Sequence, residues 1–177
     1  LVEMGVKEQH LDKTEKEFIE GVLEFKQCLV KDIMTPKRRM FCLEENMPTE
    51  QALLEINKRE HTRIPVYNKT KENITGILYL KDMVKTVAEQ KLHTPIREIA
   101  KKPMVVEQHK PINKLFKEFQ AKHIHIAMVI DKKGEVKGLV TMEDIIEEIV
   151  GDIDDEHDEV VDRHDRLHDR AGRVEHR

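Results

Sequence analysis

Two stretches of this chain carry the same punctuation. Gly76 to Asp82 reads GILYLKD, and Gly138 to Asp144, 62 positions further on, reads GLVTMED. Each follows a polar segment and runs into an apolar-periodic stretch. Internal repetition constrains a fold strongly, because a repeated unit must be able to pack against its own copy. Extending the comparison, HTRIPVYNKTKENITGILYLKDMVKTV (61–87) lies over HIHIAMVIDKKGEVKGLVTMEDIIEEIV (123–150). His61 then meets His123, Ile64 meets Ile126, Gly76 meets Gly138 and Asp82 meets Asp144. Upstream, MPTEQALLEINKRE (47–60) matches KPINKLFKEFQAK (110–122) once a one-residue gap is allowed. Both copies read helix, strand, polar turn, strand, helix.

Local signals support that reading. Thr49 is an expected N-cap, and Ala52, Leu53 and Ile56 follow it at helical spacing. Arg63 to Tyr67 is β-rich, with Pro65 pointing to a sheet edge or irregular pairing. NKTKEN and DKKGE are polar turns before return strands over Ile74 to Tyr79 and Val136 to Val140. Met83, Val84 and Val87, then Ile145, Ile146, Ile149 and Val150, form helical stripes. A unit of about 60 residues buries only about 60% of its extended surface and is marginal alone. The expected fold is therefore α/β (α+β): two pseudo-symmetric repeats, each a small sheet with flanking helices, packed together with two equivalent clefts.

With 37% charged and 4% aromatic residues and no Trp, the core must be aliphatic. The net charge of −4 argues against a nucleic-acid partner. Cys28 and Cys42 lack metal-type spacing and are expected to be reduced thiols. The longest apolar run, Ile126 to Ile130, is far short of the about 20 residues that span a bilayer. Neither a membrane span nor a signal peptide is expected, and the start at Leu1 without Met suggests a fragment or processed piece.

The repeated Asp has two readings. Thr141 and Asp144 have capping-box spacing, which alone would account for VTMED. In the first copy the cap position is Tyr79, which cannot cap that way, yet Asp82 remains. The other reading is a ligand cleft. A carboxylate at a strand-to-helix junction can accept hydrogen bonds from a ribose diol, and the exposed helix amides suit a phosphate. Both readings stay open on spacing alone.

In VKDIMTPKRR (30–39), HTRIPVY (61–67), NITGILYLKDM (73–83) and GLVTMEDIIEEIVGDIDDEHD (138–158), the chain resembles tandem CBS (cystathionine-β-synthase) domains. The likeness is closest to the regulatory pair of the bacterial magnesium/cobalt-efflux and hemolysin-C-like membrane proteins. LDKTEKEFIEGVLEF (11–25) is similar to the acidic linker helix before the first repeat. The resemblance implies a linker helix within 1–29, repeats at 30–88 and 89–151, and an acidic linker and tail at 152–177. It also implies an adenine-nucleotide site, ATP ahead of AMP, with Thr141 and Asp144 on the ribose and nearby phosphate and Met142 beside them, and the charge of ATP on an acidic chain calls for Mg²⁺ to accompany it. Tyr79 and Asp82 would be their first-repeat counterparts, while Thr35, His61 and Arg63 would sit near base and phosphates. A guanidinium at Arg63 is the natural partner for polyphosphate. A homodimer is implied, as is a membrane domain in the same polypeptide that holds this pair on the cytoplasmic side. The alternative is a soluble nucleotide-sensing or purely interaction module.

This chain departs from that pattern in two places. Tyr79 replaces the hydroxyl residue, and REIAKKP (97–103) is a poor echo of KDIMTPKRR, so one good site and one degenerate site are expected. The basic run Lys37, Arg38 and Arg39 would suit an anion or a solvated surface equally. His123 and His125 are expected on one side of a strand, as edge or cleft residues rather than metal ligands. The acidic run DIDDEHDE (152–159) could attract Mg²⁺ or be a disordered linker. No Ser occurs in the chain and no phosphate-binding glycine loop is present, so a binding module is expected rather than an enzyme.

Overall fold

The computed structural model describes residues 11–25 and 27–151, so the acidic run and tail expected over 152–177 lie outside the described residues. α1 (Lys13–Phe25) begins where Asp12 and Glu15 cap each other. The Asp12 amide donates to Glu15 Oε2 at 3.0 Å and the Glu15 amide to Asp12 Oδ1 at 2.8 Å, which satisfies two otherwise orphaned donors. Ile19 and Val22 of this helix, with Leu11, pack on the core of the second repeat.

A single helical turn, α2 (Val30–Ile33), leads into β1 (Thr35–Pro36) and a 3-10 turn (Lys37–Arg39). β2 (Leu43–Glu44), α3 (Thr49–Asn57), β3 (Arg63–Tyr67), β4 (Ile74–Tyr79) and α4 (Leu80–Ala88) follow. After a second 3-10 turn (Ile96–Glu98) come β5 (Met104–Glu107), α5 (Ile112–Lys122), β6 (Ile126–Ile130) and β7 (Val136–Thr141). The last described helix, α6, covers 142–151. The expected order of elements is thus present twice.

Sheet membership does not follow chain order. The strands form one sheet β2-β3-β4 and another β1-β7-β6-β5. β1 therefore leaves the first repeat and pairs antiparallel with β7, placing Thr35 opposite Leu139 and Pro36 opposite Gly138. Conversely, Lys101 bridges to Ile77 of β4. Each sheet is closed by a strand-like segment that enters from just before the other repeat's helix.

Three apolar clusters hold this arrangement. Phe116, Phe119, Val129, Ile145 and Ile149 fill the second repeat together with Val30. Leu43, Ile56, Ile64, Leu78 and Met83 fill the first together with Ile96. Met40, Ile77, Ile126, Met128 and Val136 form the third, between the sheets. Val30 and Ile96 have no exposed surface, and each such side chain stabilises the fold by about 1.5–3 kcal/mol relative to exposure.

Two expectations need correction, and that for Pro65 is met by its second alternative, irregular pairing. Pro48, not Thr49, is the N-cap of α3. Thr49 is wholly buried, and its amide and hydroxyl both donate to the Thr94 carbonyl, at 2.9 and 2.7 Å. A loop carbonyl does the work expected of a cap. Pro65 lies in the middle strand of its sheet, yet β2 pairs only with Val66 and Tyr67, so no ladder partner faces Pro65 on that side. The hairpins also shift the repeat register. Arg63 faces Tyr79 in one, whereas Ile126 faces Thr141 in the other. The equivalents are therefore Arg63 and Ile126, and Ile64 and Ala127, with the missing residue in the turn rather than before the strand. A one-residue slip reverses strand faces, so the His61/His123 and Ile64/Ile126 matches do not survive.

Candidate functional site

β7 ends in Thr141, and α6 starts at the next residue, with Ile145 and Ile149 buried below it. That burial fixes the rotation of the helix and places Asp144 at the junction. The Thr141 amide donates to Asp144 Oδ2 at 2.8 Å, and the Asp144 amide donates to Thr141 Oγ1 at 3.2 Å. The capping box is real. It engages Asp144 through Oδ2. Burial pushes the Asp144 carboxyl above its ordinary value, the Thr141 hydrogen bonds oppose this, and the charges of Glu143 and Glu147 add to the rise. Local capping therefore explains why an acid sits there, but capping did not require a desolvated one.

The cleft draws on both repeats. Arg63 on β3 reaches across so that Nη1 donates to Glu143 Oε1 at 3.2 Å. Its side chain is 15% exposed against 45% for Glu143, so the guanidinium is the shielded member of the pair. Thr35 arrives on β1 beside β7, two residues before Thr141. The repeated glycine makes this approach possible. A Cβ on Gly138 would overlap the Thr35 carbonyl oxygen and stand 3.1 Å from its carbon. Gly76 plays the same part, since a Cβ there would lie 2.8 Å from the Ala100 Cβ and 3.2 Å from the Lys101 oxygen.

The first-repeat junction is built differently. Tyr79 makes no side-chain cap to α4. Asp82 Oδ2 is shut off from solvent and accepts no hydrogen bond, although Lys101 Nζ stands 3.4 Å away as its ion partner. Distance without alignment makes this an ion pair, not a charge-assisted hydrogen bond. Lys101 Nζ also lies 5.3 Å from the centre of the Tyr79 ring, and Lys81 Nζ lies 5.6 Å from it.

The structure brings together Thr35, Arg63, Thr141 and Asp144 on one side, and Tyr79 and Asp82 on the other. It does not add the Met142 side chain, which is 5% exposed and belongs to the second core. The Met142 amide is taken by the His125 carbonyl at 2.9 Å. His61 is exposed and stacks on Phe41, with ring centres 5.7 Å apart, and Arg59 covers the same Phe41 at 4.3 Å. His123 is the left-handed C-cap of α5, and both it and His125 precede β6, so neither stands on a strand face. The turn Lys37–Arg39 follows Pro36, whose partner is Gly138, so the antiparallel run carries it away from Thr141. Lys37 pairs there with Glu72. Among the described residues no group of three or more His, Cys, Asp or Glu side chains could hold a metal.

Two participants escaped sequence reasoning. Glu143 is the partner of Arg63, and Lys101 is the partner of Asp82. Lys101 was detectable, because Val30 and Ile33 match Ile96 and Ile99 at a shift of 66, which lays Lys101 on Thr35. The three extra residues of the Lys37–Arg39 turn obscure that alignment.

Two interlocked α/β repeats, with a junction acid in each and segments exchanged between them, define a paired-repeat module. The model of the CBS domain matches residues 30–89 and 96–151, and the chain belongs to the CBS-domain family. Within it the chain is similar to the magnesium and cobalt efflux protein CorC of Vibrio cholerae, 36% identical over 84% of this chain and 51% of that protein. The chain thus spans about half the length of such relatives. The CBS domain of a bacterial CNNM/CorC family Mg²⁺ transporter, solved in complex with ATP, superposes with a TM-score of 0.69 at 34% identity, covering 78% of this chain and 98% of that one. A CBS-domain pair from Klebsiella pneumoniae with bound AMP gives 0.62 at 27% identity, covering 69% and 98%. The family and fold implied by the motifs are those found. No helix among the described residues is long and apolar enough to cross a membrane.

Proposed function

We propose that this module binds an adenine nucleotide, ATP ahead of AMP, between its repeats and carries out no chemistry on it. The observation that carries the reading is the desolvated Asp144 at the start of α6, with the Arg63 guanidinium held one residue away on Glu143. Asp144 Oδ1 would accept from the ribose, and Thr141 and Thr35 would complete the nucleoside contacts. Arg63 would exchange Glu143 for phosphate. Glu143, Glu147 and the net charge of −4 oppose a bare polyphosphate, so Mg²⁺ would accompany it. The relatives solved with ATP and with AMP support the ligand class.

The module would serve as the cytoplasmic sensor of a membrane-embedded magnesium or cobalt exporter in the same polypeptide, as likeness to the efflux proteins supports. Exposed Leu54 on α3 and Val84 on α4 are apolar groups that a second copy could cover, in line with a homodimer. A single monomeric species in sedimentation would remove that part.

Calorimetry tests the ligand. Asp144→Ala should weaken Mg-ATP binding about tenfold to a hundredfold, the worth of a charge-assisted hydrogen bond of about 1.5–3 kcal/mol. Asp82→Ala should cost much less. Absence of heat with ATP or AMP at millimolar concentration would leave a protein-interaction module as the function.

A further inference from the structure

The two junctions are built differently, and the difference centres on one residue, Lys101, that lies outside the repeated GILYLKD and GLVTMED stretches. β1 lays Thr35 beside Leu139, and the pseudo-equivalent bridge lays Lys101 beside Ile77. The Lys101 amide donates to the Ile77 carbonyl and the Ile77 amide to the Lys101 carbonyl, both at 2.8 Å. Its backbone is therefore fixed, and its side chain is presented to the junction from a tether. From there Nζ stands 3.4 Å from Asp82 Oδ2, the buried carboxylate oxygen without a hydrogen bond, and 5.3 Å from the Tyr79 ring centre.

We propose that Lys101 is a built-in occupant of the first-repeat cleft, and that Lys101 and Tyr79 together limit the module to one nucleotide per chain. The proposal rests on the nucleotide reading above for its ligand probe. A tethered ammonium competes at an effective concentration that free ligand must exceed, and it holds the carboxylate that a ribose diol would need. The ring face it covers is favourable for a cation. Compensation from the opposite repeat is missing too. The strand position equivalent to Arg63 is Ile126, 1% exposed in the inter-sheet core, and the helix position equivalent to Glu143 is Lys81. A ligand in the first cleft would find no cross-repeat guanidinium and would have to evict Lys101. The second cleft has no such plug, because Thr35 stands where Lys101 would be.

The test is the stoichiometry of Mg-ATP binding by calorimetry on the whole chain, with circular dichroism confirming the fold. The wild type should bind one nucleotide, and the Tyr79→Thr/Lys101→Thr chain should bind two. Adding Asp144→Ala to that double variant should leave the new site and weaken the old one at least tenfold. Two sites in the wild type, or one in a folded double variant, would overturn the proposal. Binding by the double variant alone would overturn the proposed function and the one-nucleotide limit, while supporting Lys101 as the occupant of the first cleft. Failure of both to bind would refute the nucleotide reading and its one-site restriction together. A ligand-free measurement covers a double variant that does not fold. Amine acylation read by mass spectrometry should modify Lys101 severalfold more slowly than neighbouring Lys102, and Asp82→Asn should remove the difference. Equal rates in the wild type would mean that Lys101 is not held, and the proposal would fall.

Discussion

Burial and two neighbouring acids make Asp144 ionise less readily than a free aspartate, and the sign of that shift has consequences for both stability and binding. Its carboxyl lies above the ordinary 3.8, so the folded chain holds the proton more tightly than the unfolded one. The resulting stability is present in full below the unfolded value and is lost as pH rises through the folded one. At neutral pH the charge is therefore a cost to the ligand-free fold. Asn at this position keeps an oxygen for the Thr141 amide and removes the charge. Asp144→Asn should thus leave the thermal midpoint at neutral pH equal or higher, with any gain fading as the buffer is acidified. A lower midpoint at neutral pH would show that the cap outweighs the desolvation. Nucleotide affinity should move oppositely, because a diol donates to the ionised form: binding should weaken as pH falls through the raised value. Which residues meet at the second junction was legible where a motif places them, as with Thr141 and Asp144. The ion pairs of Glu143 and Lys101 have no local spacing to read, their partners lying 80 and 19 residues away, and only the 66-residue shift that lays Lys101 on Thr35 points to Lys101.

Among the elements, β1 is as short as a strand here gets and is the most exacting. Two residues, Thr35 and Pro36, bring the first repeat's lead segment onto β7, and only the missing side chain at Gly138 permits the approach. Gly138→Ala would force β1 off the sheet edge or bend it, at about 1–3 kcal/mol for an overpacked contact. Because Thr35 travels with β1, nucleotide affinity should fall along with the thermal midpoint. Gly76→Ala meets the Ala100 side chain and the Lys101 carbonyl, so it should lower the midpoint while sparing affinity at the Asp144 cleft. Unchanged affinity in Gly138→Ala would separate β1 from the site. The hairpins and helices themselves were readable, since periodicity and turn residues act locally. Register was not: a residue lost between NKTKEN and DKKGE can be placed in the turn only by knowing that Arg63 faces Tyr79 while Ile126 faces Thr141. The N-cap at Thr49 failed for a related reason, because the carbonyl that replaces the cap belongs to Thr94.

Across the whole molecule the repeats are interlocked, and this governs how the chain should unfold. Val30 lies ahead of the first repeat's hairpin yet is buried in the second repeat's core, and Ile96 lies past its last helix yet is buried in the first. The amides of Val30 and Lys31 donate to the Lys110 and Gln108 carbonyls, and the amides of Ile96 and Arg97 donate to those of Met47 and Glu45. A cut between residues 88 and 89 therefore removes a core side chain and a closing segment from each half at once. Each half would also expose its share of the inter-sheet cluster around Met40, Ile77 and Met128. Neither fragment, 1–88 or 89–177, should show cooperative unfolding alone, and mixing them should restore it. The intact chain should lose helix signal and side-chain packing in one coincident transition, as a single cooperative domain does. Two separable transitions, or a fragment that melts cooperatively by itself, would show that the exchanged segments are decoration on two independent units. Nucleotide bound between the repeats should raise the single midpoint in proportion to the logarithm of its concentration, because the liganded cleft exists only while both halves are folded.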